Sequence, residues 1–150
     1  MSEHKAQVRW SLPPGSDFRA GHYSRAHSWT FDGGVTVPAS PSPAVVRTPW
    51  SDEAAIDPEE AFVASIASCH MLTFLWLASK SGLEVTRYED AAVGTMTKNE
   101  RRVPWVSRVI LSPKIDWRVE PSPEVLARLH HDAHEQCFIA NSVKTEIIVT

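Results

Sequence analysis

The apolar residues of the chain are densest over residues 57–80, DPEEAFVASIASCHMLTFLWLASK. Asp57 suits a helix N-cap, Pro58 suits the first helical position, and Glu60 completes a capping-box pattern three residues after the cap. Lys80 falls where a last turn would be, and Gly82 follows as a stop signal. The pattern therefore predicts one long helix.

Within this helix the apolar side chains do not keep to one face. They are Phe62, Val63, Ile66, Met71, Leu72, Phe74, Leu75, Trp76 and Leu77. A helix that is apolar on all sides is usually buried in a core. At about 1.5 Å per residue it would be about 35 Å long. We expect a chain of this size to need a second subunit to bury it.

Alternating stretches predict strands on both sides of the helix. Before it, residues 6–10 and 21–31 predict strands, and Asp32-Gly33-Gly34 predicts a hairpin returning through residues 35–37. After it, residues 83–98, with a bulge near Gly94, and residues 105–117 predict an antiparallel hairpin. A second helix, capped by Ser122, is predicted to about residue 136, and a last strand over 144–150. The predicted buried stripe of this helix is Val125, Leu126, Leu129 and Ala133. The order predicts a single α+β domain over residues 1–150, a long buried central helix packed on an antiparallel sheet.

Residues 38–56 form a long connection that holds four of the eleven prolines. A connection of this length without elements of its own is uncommon and is usually functional or disordered, and its proline content makes it stiff. We interpret it as an arm that wraps over the helix or a neighbouring subunit. Arg47 and Trp50 in this arm could reach a functional site.

Composition narrows the class of protein. The 150 residues include 43% apolar and 22% charged residues, which is ordinary for a soluble globular domain. The formal charge of −3 and the lack of a basic patch argue against a nucleic-acid partner. No secretory signal is recognised at the start, and we expect no membrane span because Ser, His and Thr interrupt the apolar helix. Two cysteines do not make a disulfide scaffold, so a cytoplasmic location is expected.

The two cysteines, Cys69 and Cys137, are the strongest candidates for chemistry. A buried free cysteine often acts only as a small hydrophobic residue. A reactive one must be a thiolate, and Cys69 lies too far inside its helix to gain from the N-terminal dipole. A cation would have to come from elsewhere, and arginine stays charged when desolvated. Arg25 shares the more apolar face of an aromatic-rich predicted strand, and Glu59 at the helix start could hold such an arginine.

The predicted second helix offers a different chemistry. His130 and His134 lie four residues apart on one face, and Cys137 follows three residues later, so a zinc site that includes Cys69 is conceivable. No C-x-x-C motif is present, and surface helices often carry histidine without a ligand role. A solvated helix face is therefore the favoured interpretation of these histidines.

These residues resemble the motifs of the OsmC/Ohr family, the osmotically inducible protein C and organic hydroperoxide resistance proteins. The family pattern N-P-E, followed ten residues later by the peroxidatic cysteine, is matched by Glu59 and Cys69, with Asp57 where Asn is common. A late C-P-x-S-x-A-like segment is matched by CFIANS at residues 137–142, which lacks the usual proline. The resemblance extends from about residue 10 to residue 149.

The resemblance implies an intertwined homodimer with sites at the subunit interface, acting as a cofactor-free, thiol-dependent peroxidase on organic hydroperoxides. Cys69 would be peroxidatic and Cys137 resolving. The family arginine matches Arg25 better than Arg47, and Glu59 would anchor it. Glu59 and Cys69 differ by about 15 Å of helical rise, so we expect Glu59 to come from the partner chain. An external thiol or dithiol would reset the enzyme.

Four apolar side chains are expected to bind the organic group of the substrate, namely Phe62, Ile66, Trp76 and Phe138. Family membership does not by itself settle chemistry. A binding or redox-sensing protein without turnover remains an alternative, and the His and Cys metal site is a weaker one.

Overall fold

The computed structural model describes residues 1–150 and consists of two compact units, Met1–Ala61 and Phe62–Thr150. The single domain expected over the whole chain stays a prediction. The elements in chain order are β1 (Ala6–Arg9), β2 (His27–Phe31), β3 (Thr36–Ala39), α1 (Pro58–Lys80), β4 (Val85–Asp90), β5 (Val93–Lys98), β6 (Pro104–Leu111), β7 (Pro113–Trp117), α2 (Pro123–Gln136), a 3-10 turn (Ala140–Ser142) and β8 (Glu146–Val149). This confirms a mixed helix and sheet protein.

The first unit contains an antiparallel sheet in the order β1-β2-β3. The predicted hairpin at residues 32–34 is confirmed, with Gly34 at a φ of 86°, a backbone conformation that favours glycine. The strand predicted from residue 21 was too long, because β2 begins only at His27. Before it, Gly21 has a φ of 76°, and the Ala20 N–H donates to Asp17 Oδ1, so this stretch forms a turn.

The proline-rich connection folds back on its own unit. The Ser40 N–H donates to the Ile56 carbonyl, and the buried Ser40 hydroxyl accepts a hydrogen bond from the Asp52 N–H at 2.8 Å. The Trp50 ring stacks on His22 with centroids 5.3 Å apart. The two ends of the connection are thus bonded to each other, and Trp50 attaches it to the turn before β2, while its contact with a neighbouring subunit stays a prediction.

Helix α1 begins and ends as its sequence predicts. The Glu60 N–H donates to Asp57 Oδ1 at 2.7 Å, and the Asp57 N–H donates to Glu60 Oε2 at 3.1 Å, which completes the capping box. At the other end Gly82 has a φ of 73°, and the Leu83 N–H donates to the Ala78 carbonyl, as in a Schellman motif.

Only one stripe of α1 is fully buried within the chain: Ile66, His70, Phe74 and Ala78. Ile66 packs with Val109 and Leu111, whereas Phe74 and Ala78 pack with residues of α2. Of the other apolar residues of α1, Phe62, Val63 and Leu77 are partly buried, whereas Leu72 and Trp76 are exposed. By length and composition alone α1 would also pass as a membrane span, a test that the core helices of soluble proteins pass too.

The second unit differs from the predicted hairpin in one respect. The two long predicted strands each break in two, so that β4 pairs with β7 and β5 pairs with β6, both antiparallel. The break in the second strand falls at Ser112, whose N–H donates to Asp90 Oδ1 instead of to a neighbouring strand. The last strand, β8, pairs with β6 in parallel, so this sheet is mixed and not purely antiparallel.

Helix α2 is confirmed with its predicted cap and buried stripe. The Val125 N–H donates to the Ser122 hydroxyl, and Leu129 and Ala133 are buried against α1. Val125 and Leu126 are partly buried in the same cluster. The C-terminal end of α2 is thereby held beside the middle of α1.

Candidate functional site

The two thiols of the chain lie together where α2 ends against the middle of α1. Cys69 is half-buried in α1, and Cys137 at the C-cap of α2 is only 1% exposed. Both are free thiols, and Cys69 Sγ accepts a hydrogen bond from the main chain two residues after Cys137. The structure therefore brings together the two cysteines that the sequence singled out, 68 residues apart in the chain.

A tightly bonded turn places Cys137. The backbone of Cys137 is extended, with φ −70° and ψ 117°, so α2 stops there. The Asn141 side-chain amide donates to the carbonyls of Glu135 and Cys137, and the Ser142 hydroxyl donates to the Phe138 carbonyl at 2.7 Å. These bonds fix residues 137–142 without the proline that the family pattern usually has.

Main-chain amides of this turn contact both sulfur atoms. The Ile139 N–H donates to Cys69 Sγ, and the Ala140 N–H donates to Cys137 Sγ, each at 3.4 Å. Burial, followed by the neighbouring Cys69 thiol, raises the pKa of the Cys137 thiol above its usual range. Cys137 is therefore protonated at neutral pH.

A buried histidine pair lies one residue along α1 from Cys69. His70 Nε2 and His130 Nδ1 are joined by a hydrogen bond of 3.1 Å, and His70 is 1% exposed. His130 also stacks on Phe74, with ring centroids 4.4 Å apart. Burial and the nearby His130 and His134 lower the pKa of His70 to about 4, and burial lowers the pKa of His130. Both rings are therefore neutral at pH 7.

Two of the predicted substrate-binding side chains line one groove. The groove has a volume of about 610 Å³, and its walls are Leu72, Thr73, Trp76, Glu135, Gln136, Phe138 and Asn141. Trp76 lies about two turns after Cys69 on α1, and Phe138 directly follows Cys137. Because Trp76 and Phe138 are 54% and 84% exposed, the groove presents an apolar surface formed by residues that lie near the two cysteines along the chain.

Phe62 and Ile66, the other two predicted substrate-binding residues, lie in the core. Ile66 is fully buried against Val109 and Leu111, and Phe62 is partly buried in the same cluster. Ile139 belongs to this cluster as well. Within the single chain, Phe62 and Ile66 therefore support the turn that carries Cys137. Their contact with substrate stays a prediction.

Arg25 does not lie on a strand, as the sequence had suggested, but in the turn before β2. Its guanidinium donates to the carbonyls of Gly21 and Tyr23 and lies over the Tyr23 ring, 4.1 Å from the centroid. Arg25 and Tyr23, together with Trp10 and Phe18, line an apolar cavity of about 450 Å³. The alternative, Arg47, is exposed in the proline-rich connection.

Glu59 lies in the first turn of α1 and is half-buried. Its pairing with Arg25, and the approach of either residue to Cys69, stay predictions. For the metal alternative, no group of three His, Cys, Asp or Glu side chains lies close enough together to hold an ion. His130 instead bonds His70, a contact between two helices.

Sequence reasoning missed two features of this site. Sequence reasoning did not place His70 in the core, yet this residue is buried against His130. The signal was its four-residue spacing from Ile66 and Phe74 on the buried stripe. The contact between Ile139 and Cys69 carries no sequence signal, because a backbone N–H is common to almost every residue.

Comparisons with known proteins agree with this fold. The family model of the OsmC-like proteins matches residues 51–150. An OsmC-like protein of unknown function from Vibrio cholerae is 48% identical, with 100% of this chain and 99% of that chain covered and a TM-score of 0.96. No curated protein matches the chain at a significant level.

Two more distant structures share the fold. An organic hydroperoxide resistance protein from Elizabethkingia anophelis is 15% identical, with 99% of this chain and 93% of that chain covered and a TM-score of 0.74. The organic hydroperoxide resistance protein OhrB of Bacillus subtilis is 18% identical, with 99% and 98% covered and a TM-score of 0.65. With two thirds of its length matched by the family model and a full-length relative at 48% identity, the chain belongs to the OsmC-like family.

Proposed function

We propose that the protein is a thiol-dependent peroxidase that reduces organic hydroperoxides, R–OOH, to alcohols, R–OH. The observation that carries this proposal is the meeting of Cys69 and Cys137 at the end of α2. Two free thiols that are bonded to successive backbone amides can pass between dithiol and disulfide with little movement of the backbone. Structural neighbours described as organic hydroperoxide resistance proteins support the same chemistry.

Exposure and protonation support a peroxidatic Cys69 and a resolving Cys137. Cys69 is the more accessible, so it meets the peroxide first, whereas Cys137 is buried and protonated and reacts second. The Cys69 thiolate attacks the outer peroxide oxygen, the O–O bond breaks, and the leaving alkoxide takes a proton to give R–OH. The sulfur is oxidised to sulfenic acid. Cys137 then attacks that sulfur, an S–S bond forms, and water leaves.

Arg25 would stabilise the Cys69 thiolate and the leaving alkoxide, and Glu59 would orient its guanidinium. Arg25 suits this role because it is half-buried among aromatic rings, where its charge acts through little water. The proposed active form is a homodimer in which Glu59 comes from the partner chain. The exposed apolar residues of α1, such as Leu72 and Trp76, favour such an assembly.

The groove that Trp76 and Phe138 line favours a hydroperoxide with an apolar organic group. A cytoplasmic thiol or dithiol would reduce the Cys69–Cys137 disulfide and complete the catalytic cycle. The protein would thereby act in the response to oxidative stress.

Intact mass tests the proposal directly. Treatment with one equivalent of cumene hydroperoxide should lower the mass by about 2 Da, with the disulfide located to Cys69 and Cys137 after digestion. Cys69→Ser should consume no hydroperoxide, and Cys137→Ser should stop at the sulfenic acid. A Cys69→Ser protein that consumes hydroperoxide as fast as the parent would refute the proposal.

A second candidate is a redox sensor or binding protein without turnover. Phe138 follows Cys137 where the family pattern has proline, and the 48% identical Vibrio cholerae protein is described as of unknown function. A Cys69–Cys137 disulfide that forms with peroxide, but that neither monothiols nor dithiols reduce, would favour this candidate. Repeated turnover with a thiol would exclude it.

A further inference from the structure

Two successive backbone amides each donate to one of the two thiols. The Ile139 N–H donates to Cys69 Sγ, and the Ala140 N–H donates to Cys137 Sγ, both at 3.4 Å. Sulfur is a weak acceptor as a thiol but a much stronger one as a thiolate, because the bond is then charge-assisted. The donor to Cys69 comes from the segment that carries the other cysteine.

The Ile139 amide is held in place by the structure around it. Its side chain packs in the cluster of Ile66, Val109 and Leu111, and its carbonyl accepts a hydrogen bond from the Ser142 N–H at 2.9 Å. On the N-terminal side, the Asn141 bonds to the Cys137 carbonyl fix the turn. A donor that is already oriented stabilises charge on the sulfur without any reorganisation during the reaction.

We propose that the main-chain N–H of Ile139 is a catalytic group: it stabilises the Cys69 thiolate before attack and holds the oxidised Cys69 sulfur beside Cys137 for disulfide closure. Only the role of the amide in disulfide closure rests on the proposed peroxidase function. Stabilisation of the thiolate concerns the reduced protein and any electrophile.

The proposed steps keep atoms and electrons in balance. Attack forms a bond between Cys69 Sγ and the outer peroxide oxygen and breaks the O–O bond, so sulfur loses two electrons and R–OOH gains them. The Ile139 N–H can stay with the sulfenate, which is also an anion. In closure the sulfenate first takes a proton from solvent to become the sulfenic acid. Cys137 Sγ then displaces the hydroxyl oxygen from Cys69 Sγ, and the thiol proton of Cys137 leaves with that hydroxyl as water.

An amide-to-ester substitution tests the donor without changing a side chain. Replacing Ile139 by its α-hydroxy acid, through ligation or nonsense suppression, removes the N–H. It also weakens the Phe138 carbonyl, which accepts a hydrogen bond from the Ser142 hydroxyl, so Ser142→Ala controls for that second effect. The matched control is the α-hydroxy acid at Val143, which lies in the same segment and whose N–H contacts neither sulfur. Thermal unfolding of each variant establishes that it is folded.

The first readout is the rate of Cys69 alkylation by iodoacetamide at pH 7, followed by digestion and mass spectrometry. We expect the Ile139 ester to react about tenfold more slowly than the parent, because a hydrogen bond to an ionised group is worth about one decade in an ionisation equilibrium. The Val143 ester should react within twofold of the parent. Equal rates for the parent and the Ile139 ester, or an equal loss in both esters, would overturn the proposal.

The second readout is sulfenic acid formation and disulfide closure with cumene hydroperoxide on the same samples. A parent protein that consumes no hydroperoxide refutes the proposed peroxidase function, and the alkylation rates still decide the role of the amide. In an active parent, the Ile139 ester should form disulfide about tenfold more slowly, in step with its alkylation. Unchanged closure in that ester would refute the role of the amide in the reaction while leaving the peroxidase function intact.

Discussion

Replacing His70 by leucine should make the stability of the protein much less sensitive to acid. His70 is 1% exposed, and one of its ring nitrogens, Nδ1, is buried without a hydrogen-bond partner. The other nitrogen, Nε2, is hydrogen-bonded to His130. A proton added to His70 would therefore lie close to two other imidazoles, those of His130 and His134. Burial and these neighbours lower the pKa of His70 to about 4.

The sign follows from proton uptake in the two states. An unfolded histidine titrates near pH 6.5, so between pH 7 and pH 5 the unfolded chain binds a proton at position 70 that the folded chain does not. Stability therefore falls as the pH falls through this window, and the loss ends only below the folded pKa. Allowing for partial access of water, this loss amounts to between about 1 and 2 kcal/mol by pH 5.

Urea unfolding at pH 7 and pH 5 measures this loss. It should be done at one protein concentration, because the stability of a dimer would depend on concentration. The difference between the unfolding free energies at pH 7 and pH 5 should shrink by about 1 to 2 kcal/mol in His70→Leu. It should not change in His131→Gln, which removes an exposed histidine from α2, the helix that carries His130. Equal pH sensitivity in His70→Leu and the parent would refute the reasoning.

Three further substitutions test other contacts. Gly94→Ala would place a Cβ only 2.5 Å from Val63 Cγ2, so it should destabilise the protein by about 1–3 kcal/mol in urea unfolding, and Val63→Ala should recover most of this loss. Asp57→Ala removes the acceptor of the Glu60 N–H and should cost about 1 kcal/mol of unfolding free energy, whereas Asp57→Asn should cost less. Trp76→Ala should raise the KM for cumene hydroperoxide about threefold to tenfold in a steady-state peroxidase assay. The KM for hydrogen peroxide should not change, because only the larger substrate would fill the groove.

The features that the sequence predicted well are local ones. The cap of α1 depends on Asp57 and Glu60, three residues apart, and its end depends on Gly82, so both could be read from a few neighbouring positions. The stripe of α2, Leu129 and Ala133, follows from the helical period. In the same way the thiol pair followed from two motifs that each span few residues.

The features that it missed depend on contacts between distant residues. Residues 83–98 look like one strand, yet β4 and β5 pair with different partners because the chain bends between them and Asp90 bonds Ser112. The parallel pairing of β8 with β6 joins residues almost 40 positions apart. Strand partners of this kind are set by tertiary packing, and the alternation of a single stretch cannot specify them.

The exposed side of α1 connects the sequence pattern to the proposed assembly. A helix that is apolar all round was expected to be buried all round, yet the chain alone buries only the stripe through Ile66, His70 and Phe74. Leu72 and Trp76 remain 61% and 54% exposed. Burying each of these side chains fully would be worth about 1.5–3 kcal/mol, so a free monomer would forgo several kcal/mol along this one helix. Trp76 also lines the proposed substrate groove, so a second copy of the chain that covers this face would border that groove. In the proposed dimer, the same residues would then serve both assembly and catalysis.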